Sequence, residues 1–97
     1  MAIQCTFAID GSFKLTKHGL VIYGDILDGV LRKEDLFLFR SEEQEFKLRI
    51  REINFLDRIG EERISKVGLT FYYYDDQQKE KLKTLQVGRQ TAKTIGV

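Results

Sequence analysis

GLVIYGDILDGVLRKEDLFLF, residues 19–39, consists of two apolar segments separated by a polar connection. Asp28-Gly29 between the segments is a strong turn signal, because glycine adopts a positive φ at no steric cost. Gly24 lies within the first segment, where a glycine usually marks a bulge with positive φ or a close approach of another backbone. The stretch therefore predicts two strands joined by a sharp turn, a central ribbon around which the other strands wrap.

Further stretches of alternating apolar and polar residues lie on both sides of the central ribbon, as expected of half-buried strands. They cover residues 3–9, 13–15, 46–56, 67–74 and 88–95. The apolar set slips by one position within FKLRIREINFL, which predicts a bulge near Arg51-Glu52, because the slip otherwise turns the later side chains outward. Between strands, Asp10-Gly11 predicts a turn and residues 57–66 predict a charged loop.

Residues 75–84, DDQQKEKLKT, allow two interpretations. Acidic residues at the front and lysines at the back suit the dipole of a helix. However, Leu82 is the only apolar residue in the segment, and isolated helices shorter than about 12 residues are marginal in water. The sequence therefore favours a surface excursion, a short turn or frayed helical loop. If Leu82 and Leu85 instead pack in the core, the chain is better called α+β.

About six short strands and no convincing long helix indicate an all-β fold, either a small barrel or a sandwich. Closure into a barrel would leave no exposed sheet edge. The chain has 97 residues and no proline, and its eight glycines are spread along the whole length, so no linker divides it. We expect residues 1–97 to form a single domain.

Composition narrows the classes of function. Lysine and arginine nearly balance aspartate and glutamate, and the formal net charge of +1 gives no long-range field toward nucleic acid or an anionic membrane. Cys5 is the only cysteine, which excludes an intramolecular disulfide and a thiolate metal site and suits a reducing compartment. The N-terminal residues lack the pattern of a signal peptide, and no apolar run approaches about 18 residues. These features predict a cytoplasmic protein without membrane contact.

Three stretches carry a resemblance to a known family. They are FKLTKHGLVIYGDILDGVLRKEDLFLF (residues 13–39), FKLRIREINFLDRIG (residues 46–60) and LQVGRQTAK (residues 85–93). Together they resemble the second domain of translational GTPases of the elongation factor Tu type, over nearly the whole chain. The resemblance implies a small closed antiparallel β-barrel that contacts RNA or a ribosomal component. In elongation factor Tu that domain also helps to hold the aminoacyl end of tRNA.

The nucleotide-binding domain of that family has no counterpart in the sequence. Its GxxxxGK[ST] motif needs glycines that leave backbone N–H groups free to hold phosphate. The nearest fragment, GSFKLTK at residues 11–17, lacks the second glycine. We therefore expect no GTPase activity and no cofactor.

The clearest candidate site is a basic stripe formed by Lys47, Arg49 and Arg51. Alternate residues of a strand lie on one face about 7 Å apart, a spacing that suits a phosphate backbone. Tyr72 and Tyr74 are candidate stacking platforms for bases, and tyrosine is also common in protein–protein contacts. The alternative interpretation is a solvated outer face. Its charge would be balanced by nearby acids, which are Glu42, Glu43, Glu45 and Glu52.

Other reactive residue types carry weaker signals. His18, the only histidine, has no second metal ligand beside it in the sequence and is expected at an exposed turn. Asp75-Asp76 resembles a helix cap more than a catalytic pair, and Cys5 is expected to be a buried, inert thiol. The sequence therefore predicts a non-enzymatic binding module that contacts RNA or a ribosomal component. The alternative is an accessory barrel that binds a protein partner and has no RNA role.

Overall fold

The computed structural model describes residues 3–15, 19–59 and 62–96, with side chains described for all of these except 57–59 and 62–65. The described residues form six strands and one helix. In chain order these are β1 (Ile3–Leu15), β2 (Gly19–Gly29), β3 (Leu36–Ser41), β4 (Gln44–Ile59), β5 (Glu62–Phe71), α1 (Asp76–Lys83) and β6 (Gln90–Ile95). Strands dominate, which confirms the prediction of an all-β fold.

The strands close into a barrel in the order β1-β2-β5-β4-β3-β6, and every neighbouring pair is antiparallel. The two apolar segments of residues 19–39 become β2 and β3, which lie on opposite sides of this ring. The sharp turn predicted at Asp28-Gly29 is wrong, because both residues belong to β2 and pair with Thr6 and Cys5 of β1, although Gly29 does have a positive φ of 84°. The prediction of a central ribbon is wrong, because residues 30–35 carry the chain across to the far side of the barrel.

Alternation along the strands fills the barrel with large apolar side chains. Phe37 lies at the centre, with its ring centroid 5.6 Å from Phe7 and 5.6 Å from Phe71. Other fully or nearly fully buried members of this core are Ile9, Leu20, Ile22, Phe39, Leu48, Ile50 and Leu69. Burial of each such side chain stabilises the fold by about 1.5–3 kcal/mol before the entropy of ordering is subtracted.

Two predicted interruptions are strands instead. β1 continues through Asp10-Gly11 with a shift of register between Ile9 and Gly11, so this pair forms an irregularity inside a strand and not a turn. β4 runs to Ile59 and β5 begins at Glu62, where the prediction had a loop over residues 57–66. Pairing with a neighbouring strand outweighs the charged composition there. The bulge predicted near Arg51-Glu52 is confirmed by a shift of register between Ile50 and Glu52, but it does not turn Phe55 inward, since that side chain is 84% exposed.

Gly24 shows why a glycine lies inside an apolar strand. It pairs with Ile9 of β1 on one side and with Val67 of β5 on the other. A Cβ atom at this position would collide with the backbone carbonyl oxygen of Ala8. The predicted close backbone approach is therefore confirmed, whereas the predicted positive φ is wrong, since the positive-φ glycines are Gly19 and Gly29.

Residues 76–83 form a helix, so the prediction of a surface excursion is wrong. Asp75 caps the helix by accepting a hydrogen bond of 2.8 Å from the backbone nitrogen of Gln78. Leu82 is only 3% exposed, and Leu85 and Val87 follow it into the core. One helical leucine is enough here because the chain after the helix supplies the other two apolar anchors. Leu82 and Leu85 do pack in the core, but the α+β description expected in that case is wrong, because the described residues form six strands and one helix of 8 residues.

Candidate nucleic-acid interface

β4 presents the basic stripe on the outside of the barrel. Lys47, Arg49 and Arg51 are exposed because Leu48 and Ile50, which alternate with them, point into the core. Lys47 lies opposite Leu38 and Arg49 lies opposite Leu36 in the neighbouring strand β3. Arg51 falls at the bulge, which separates it from the regular part of the stripe.

The backbone after β5 brings the tyrosines beside this stripe. The backbone nitrogen of Tyr72 donates a hydrogen bond of 3.0 Å to the carbonyl oxygen of Arg49. Tyr72 is 44% exposed and Tyr74 is 94% exposed. An open depression of about 340 Å³, here called the tyrosine groove, lies between them and β4. Its lining residues are Leu36, Lys47, Leu48, Arg49, Tyr72, Tyr73, Tyr74 and Gln78.

Arg51 does not line the tyrosine groove. It borders a separate depression of about 260 Å³ that Tyr72, Asp75 and Asp76 also line. Four of the five residues proposed from the sequence therefore surround one groove, while Arg51 faces a more acidic environment.

Glu34 orients Tyr72 and was not recognised from the sequence. The phenol of Tyr72 donates a hydrogen bond of 2.8 Å to Oε1 of Glu34. This bond raises the pKa of Tyr72, although the charges of Arg51 and Arg49 oppose the shift. Glu34 is itself fixed, because its backbone nitrogen donates a hydrogen bond of 2.9 Å to the carbonyl oxygen of Ile50. The ring of Tyr72 is therefore held at both its backbone and its hydroxyl end.

Tyr73 anchors the run of three tyrosines to the barrel. Its hydroxyl accepts a hydrogen bond of 3.1 Å from the backbone nitrogen of Leu20, and its ring packs against the core. Burial raises the pKa of Tyr73, and the bond from Leu20 partly offsets that rise. Because consecutive residues point in different directions, an inward Tyr73 leaves Tyr72 and Tyr74 facing outward. The backbone nitrogen of Tyr74 donates to Oε1 of Gln78, 2.6 Å away, which ties Tyr74 to the helix.

Within the described part of the chain, no member of the basic stripe forms an ion pair. The acids near the stripe in the sequence are Glu42, Glu43, Glu45 and Glu52. Of these four, Glu45 forms an ion pair, with Arg40 at 3.8 Å. The charges of the stripe are therefore left to solvent and to any ligand.

β6 adds a cation that the sequence analysis missed. Lys93 is exposed and pairs in register with Leu38 of β3. A second depression, here called the β6 groove, has a volume of about 540 Å³ and lies outside β3, β4 and β6. It is lined by Leu38, Phe39, Arg40, Glu45, Phe46, Lys47, Gln90, Thr91 and Lys93. The sequence could have shown that Lys93 points outward, because Lys93 alternates with buried Ala92. It could not have shown that β6 lies beside β3, because closure of the barrel brings these strands together.

The remaining sequence candidates are His18, the Asp75-Asp76 pair and Cys5. His18 and its neighbour Lys17 lie outside the described residues. Asp75 is occupied as a helix cap. Cys5 is buried, and burial together with the charges of Asp28 and Asp35 raises the pKa of its thiol, as expected of an inert cysteine.

The described residues offer neither a metal site nor a membrane-spanning helix. Over residues 3–15, 19–59 and 62–96, histidine, cysteine, aspartate and glutamate side chains do not come together in any group suited to a metal ion. In the same ranges, no helix has the length and apolar character needed to cross a membrane.

No protein-family model, no curated protein and no solved structure compared with this chain gives a significant match.

Proposed function

We propose that this protein is a non-catalytic binding module that contacts RNA, alone or within a ribosomal component, through the outer face of β4. The observation that carries the proposal is the meeting of Lys47 and Arg49, which have no ion-pair partner among the described residues, with two exposed tyrosines around one groove. Cations that follow a backbone and aromatic rings that accept bases are the two components of sequence-tolerant nucleic-acid binding.

The electrostatics favour binding that is local and sensitive to salt. A formal net charge of +1 gives little long-range attraction, so affinity must come from the few cations that touch phosphates. Each phosphate neutralised on a single strand contributes about −0.7 to the slope of log affinity against log salt concentration. We therefore expect a shallow but measurable slope and a modest affinity.

The resemblance to the second domain of translational GTPases supports the same proposal, because that domain contacts the ribosome and tRNA. A barrel fold by itself carries no function, since small barrels serve many unrelated roles. The relationship to translation factors is therefore part of the proposal, and the residues on β4 are its test.

The test is a fluorescence-anisotropy titration of a labelled RNA at about 50 mM and about 200 mM salt. Arg49→Glu should weaken binding about tenfold or more at the lower salt concentration, since it replaces an attraction with a repulsion. Lys14→Glu is the matched control, because Lys14 is exposed on β1 and lines neither the tyrosine groove nor the β6 groove. Absence of binding at the lower salt concentration, or equal losses in the two variants, would exclude the proposal.

A second candidate function is a protein-interaction module without an RNA role. It is favoured by exposed apolar side chains at the end of β2 and just beyond it, with Ile26 42%, Leu27 58% and Val30 56% exposed. Sedimentation of the wild type and of Leu27→Asp would detect self-association through this region. A monomer in both cases, combined with RNA binding that depends on Arg49, would leave RNA contact as the function.

A further inference from the structure

The tyrosine groove and the β6 groove meet at one residue. Lys47 lines both depressions, with Tyr72 and Tyr74 on one side of it and Lys93 on the other. The two grooves therefore form one path over the outside of the barrel, which runs across β4, β3 and β6.

Strand register fixes the spacing of cations along this path. Leu38 pairs with Lys47 of β4 on one side and with Lys93 of β6 on the other, so the three side chains share the outer face. Neighbouring strands lie about 4.8 Å apart, which places the backbones of the two lysines about 10 Å from each other. Long lysine side chains can reach a phosphate held above half-buried Leu38 from both directions.

Gln90 makes the floor of the path rigid at the junction of β3 and β6. Its side-chain oxygen accepts a hydrogen bond of 2.8 Å from the backbone nitrogen of Arg40. Its side-chain nitrogen donates one of 2.6 Å to the backbone oxygen of the same residue. The amide thus continues the pairing of β3 with β6 beyond the backbone register, which ends at Leu38 and Lys93.

The tyrosine end of the path favours unpaired bases. The ring of Tyr72 is held by Glu34, and Tyr74 has a 94% exposed side chain on a backbone tied to Gln78. Bases can stack on such rings when they are unpaired, whereas the bases of a duplex are already stacked on each other. A duplex would contact the lysines and leave both tyrosines unused.

We propose that the ligand is single-stranded RNA that crosses β4, β3 and β6, with bases on Tyr72 and Tyr74 and phosphates at Lys47, Arg49 and Lys93. This inference rests on the proposed function and names the ligand class and the route. A path of this length corresponds to about four nucleotides, at the lower end of the range for small nucleic-acid-binding barrels.

The test compares a single-stranded RNA of about eight nucleotides with the duplex of the same sequence, at about 50 mM salt. The single strand should bind more tightly. Tyr74→Ala should weaken binding of the single strand about fivefold or more and leave duplex binding unchanged, while Tyr74→Phe should retain wild-type affinity. Lys93→Glu should weaken binding of the single strand about fivefold and reduce the salt slope by about 0.7.

Lys14→Glu again serves as the charge-matched control, and an unchanged urea midpoint confirms that each variant is folded. Equal affinity for single strand and duplex, with no effect of Tyr74→Ala, would overturn the ligand class. Lys93→Glu behaving like Lys14→Glu would overturn the route over β6. Either failure can occur while binding still depends on Arg49, so the proposed function would survive it. Absence of binding to both RNAs would overturn the two proposals together.

Discussion

Lys66 on β5 and Lys47 on β4 are lysines on neighbouring strands with opposite surroundings. Nζ of Lys66 lies 2.7 Å from Oδ2 of Asp10 and 2.7 Å from Oδ2 of Asp25, an arrangement here called the carboxylate clamp. Lys47 has no ion pair within the described part of the chain. Two neighbouring strands therefore carry one lysine that is paired with carboxylates and one that is not.

Pairing of the strands explains where the clamp lies. β2 and β5 are in register over residues 22–24 and 67–69, and beyond them each strand continues without the other. Lys66 bridges three strands at the point where this short ladder ends. The pairing of β3 with β4 is longer and extends from Leu36 to Ser41, so Lys47 lies within a continuous ladder and not at the end of one. The same residue type is structural in one place and available to a ligand in the other.

The largest expected effect lies beside the clamp, at Gly24. Gly24→Val should lower the free energy of unfolding by more than about 2 kcal/mol, because its Cβ would collide with the backbone of Ala8 and force β1 and β2 apart. Gly88→Ala is the matched control, since a Cβ there meets no atom within 4 Å, and it should change stability by less than about 0.5 kcal/mol. Equal urea midpoints for the two variants would show that β1 and β2 can move apart at Gly24 without loss of stability.

The next effect concerns α1, which connects the two regions. The helix contacts β2, the strand that carries Asp25 of the carboxylate clamp, and its residue Gln78 holds Tyr74 at the tyrosine groove. Leu82→Ala should cost about 2–4 kcal/mol in urea denaturation, because it empties a buried site. Lys81→Ala, an exposed neighbour, should cost less than about 0.5 kcal/mol. A small loss of stability in Leu82→Ala would show that the segment packs only weakly on the barrel, as expected of a surface excursion.

Some elements of this structure could be predicted from the sequence and others could not. Alternation within FKLRIREINFL correctly indicated both the exposed stripe and the bulge near Arg51, since both follow from local periodicity. Residues 76–83 were misjudged because the apolar anchors of the helix, Leu85 and Val87, follow it in the chain. The separation of β2 from β3 depends on how the ring closes, and a turn signal at Gly29 carries no information about that.

The candidate site divides in the same way. Lys47 and Arg49 were visible as alternate residues of one strand. Lys93 and Gln90 join them only because β6 pairs with β3, and these two strands are far apart in the sequence. Glu34 is a loop residue with a φ of 75°, and its carboxylate accepts the hydrogen bond from Tyr72. No periodic pattern in the sequence marks this position. Contacts set by closure of the barrel are long-range, so single-strand periodicity could not predict them.

A matched pair of variants tests the comparison itself. Lys47→Met should weaken binding of RNA about threefold or more and leave the urea midpoint unchanged, because Lys47 has no partner to lose among the described residues. Lys66→Met should lower the urea midpoint and leave RNA affinity unchanged. It removes the cation between the carboxylates of Asp10 and Asp25, which then face each other. Loss of stability in Lys47→Met, or loss of RNA affinity in Lys66→Met, would contradict the division of roles.

The smallest expected effect is a dependence of stability on alkaline pH. Hydrogen bonds from Lys66 to Asp10 and then to Asp25 raise the pKa of Lys66 above its ordinary value of 10.5. The folded protein therefore binds this proton more tightly than the unfolded chain does. The contribution of the clamp is complete below pH 10.5 and is lost as the pH rises through the higher pKa of the folded state.

The measurement is the urea midpoint at about pH 8 and at about pH 11, for the wild type and for Lys66→Met. Wild type should lose more of its midpoint than the variant over this interval, because only wild type has the clamp to lose. Tyr72 titrates in the same direction, since its bond to Glu34 raises its pKa above the ordinary value of 10.0. Tyr72→Phe therefore belongs in the series as a control that removes that second contribution. If wild type and Lys66→Met decline equally, water screens the clamp fully, and Lys66 is no more structural than Lys47.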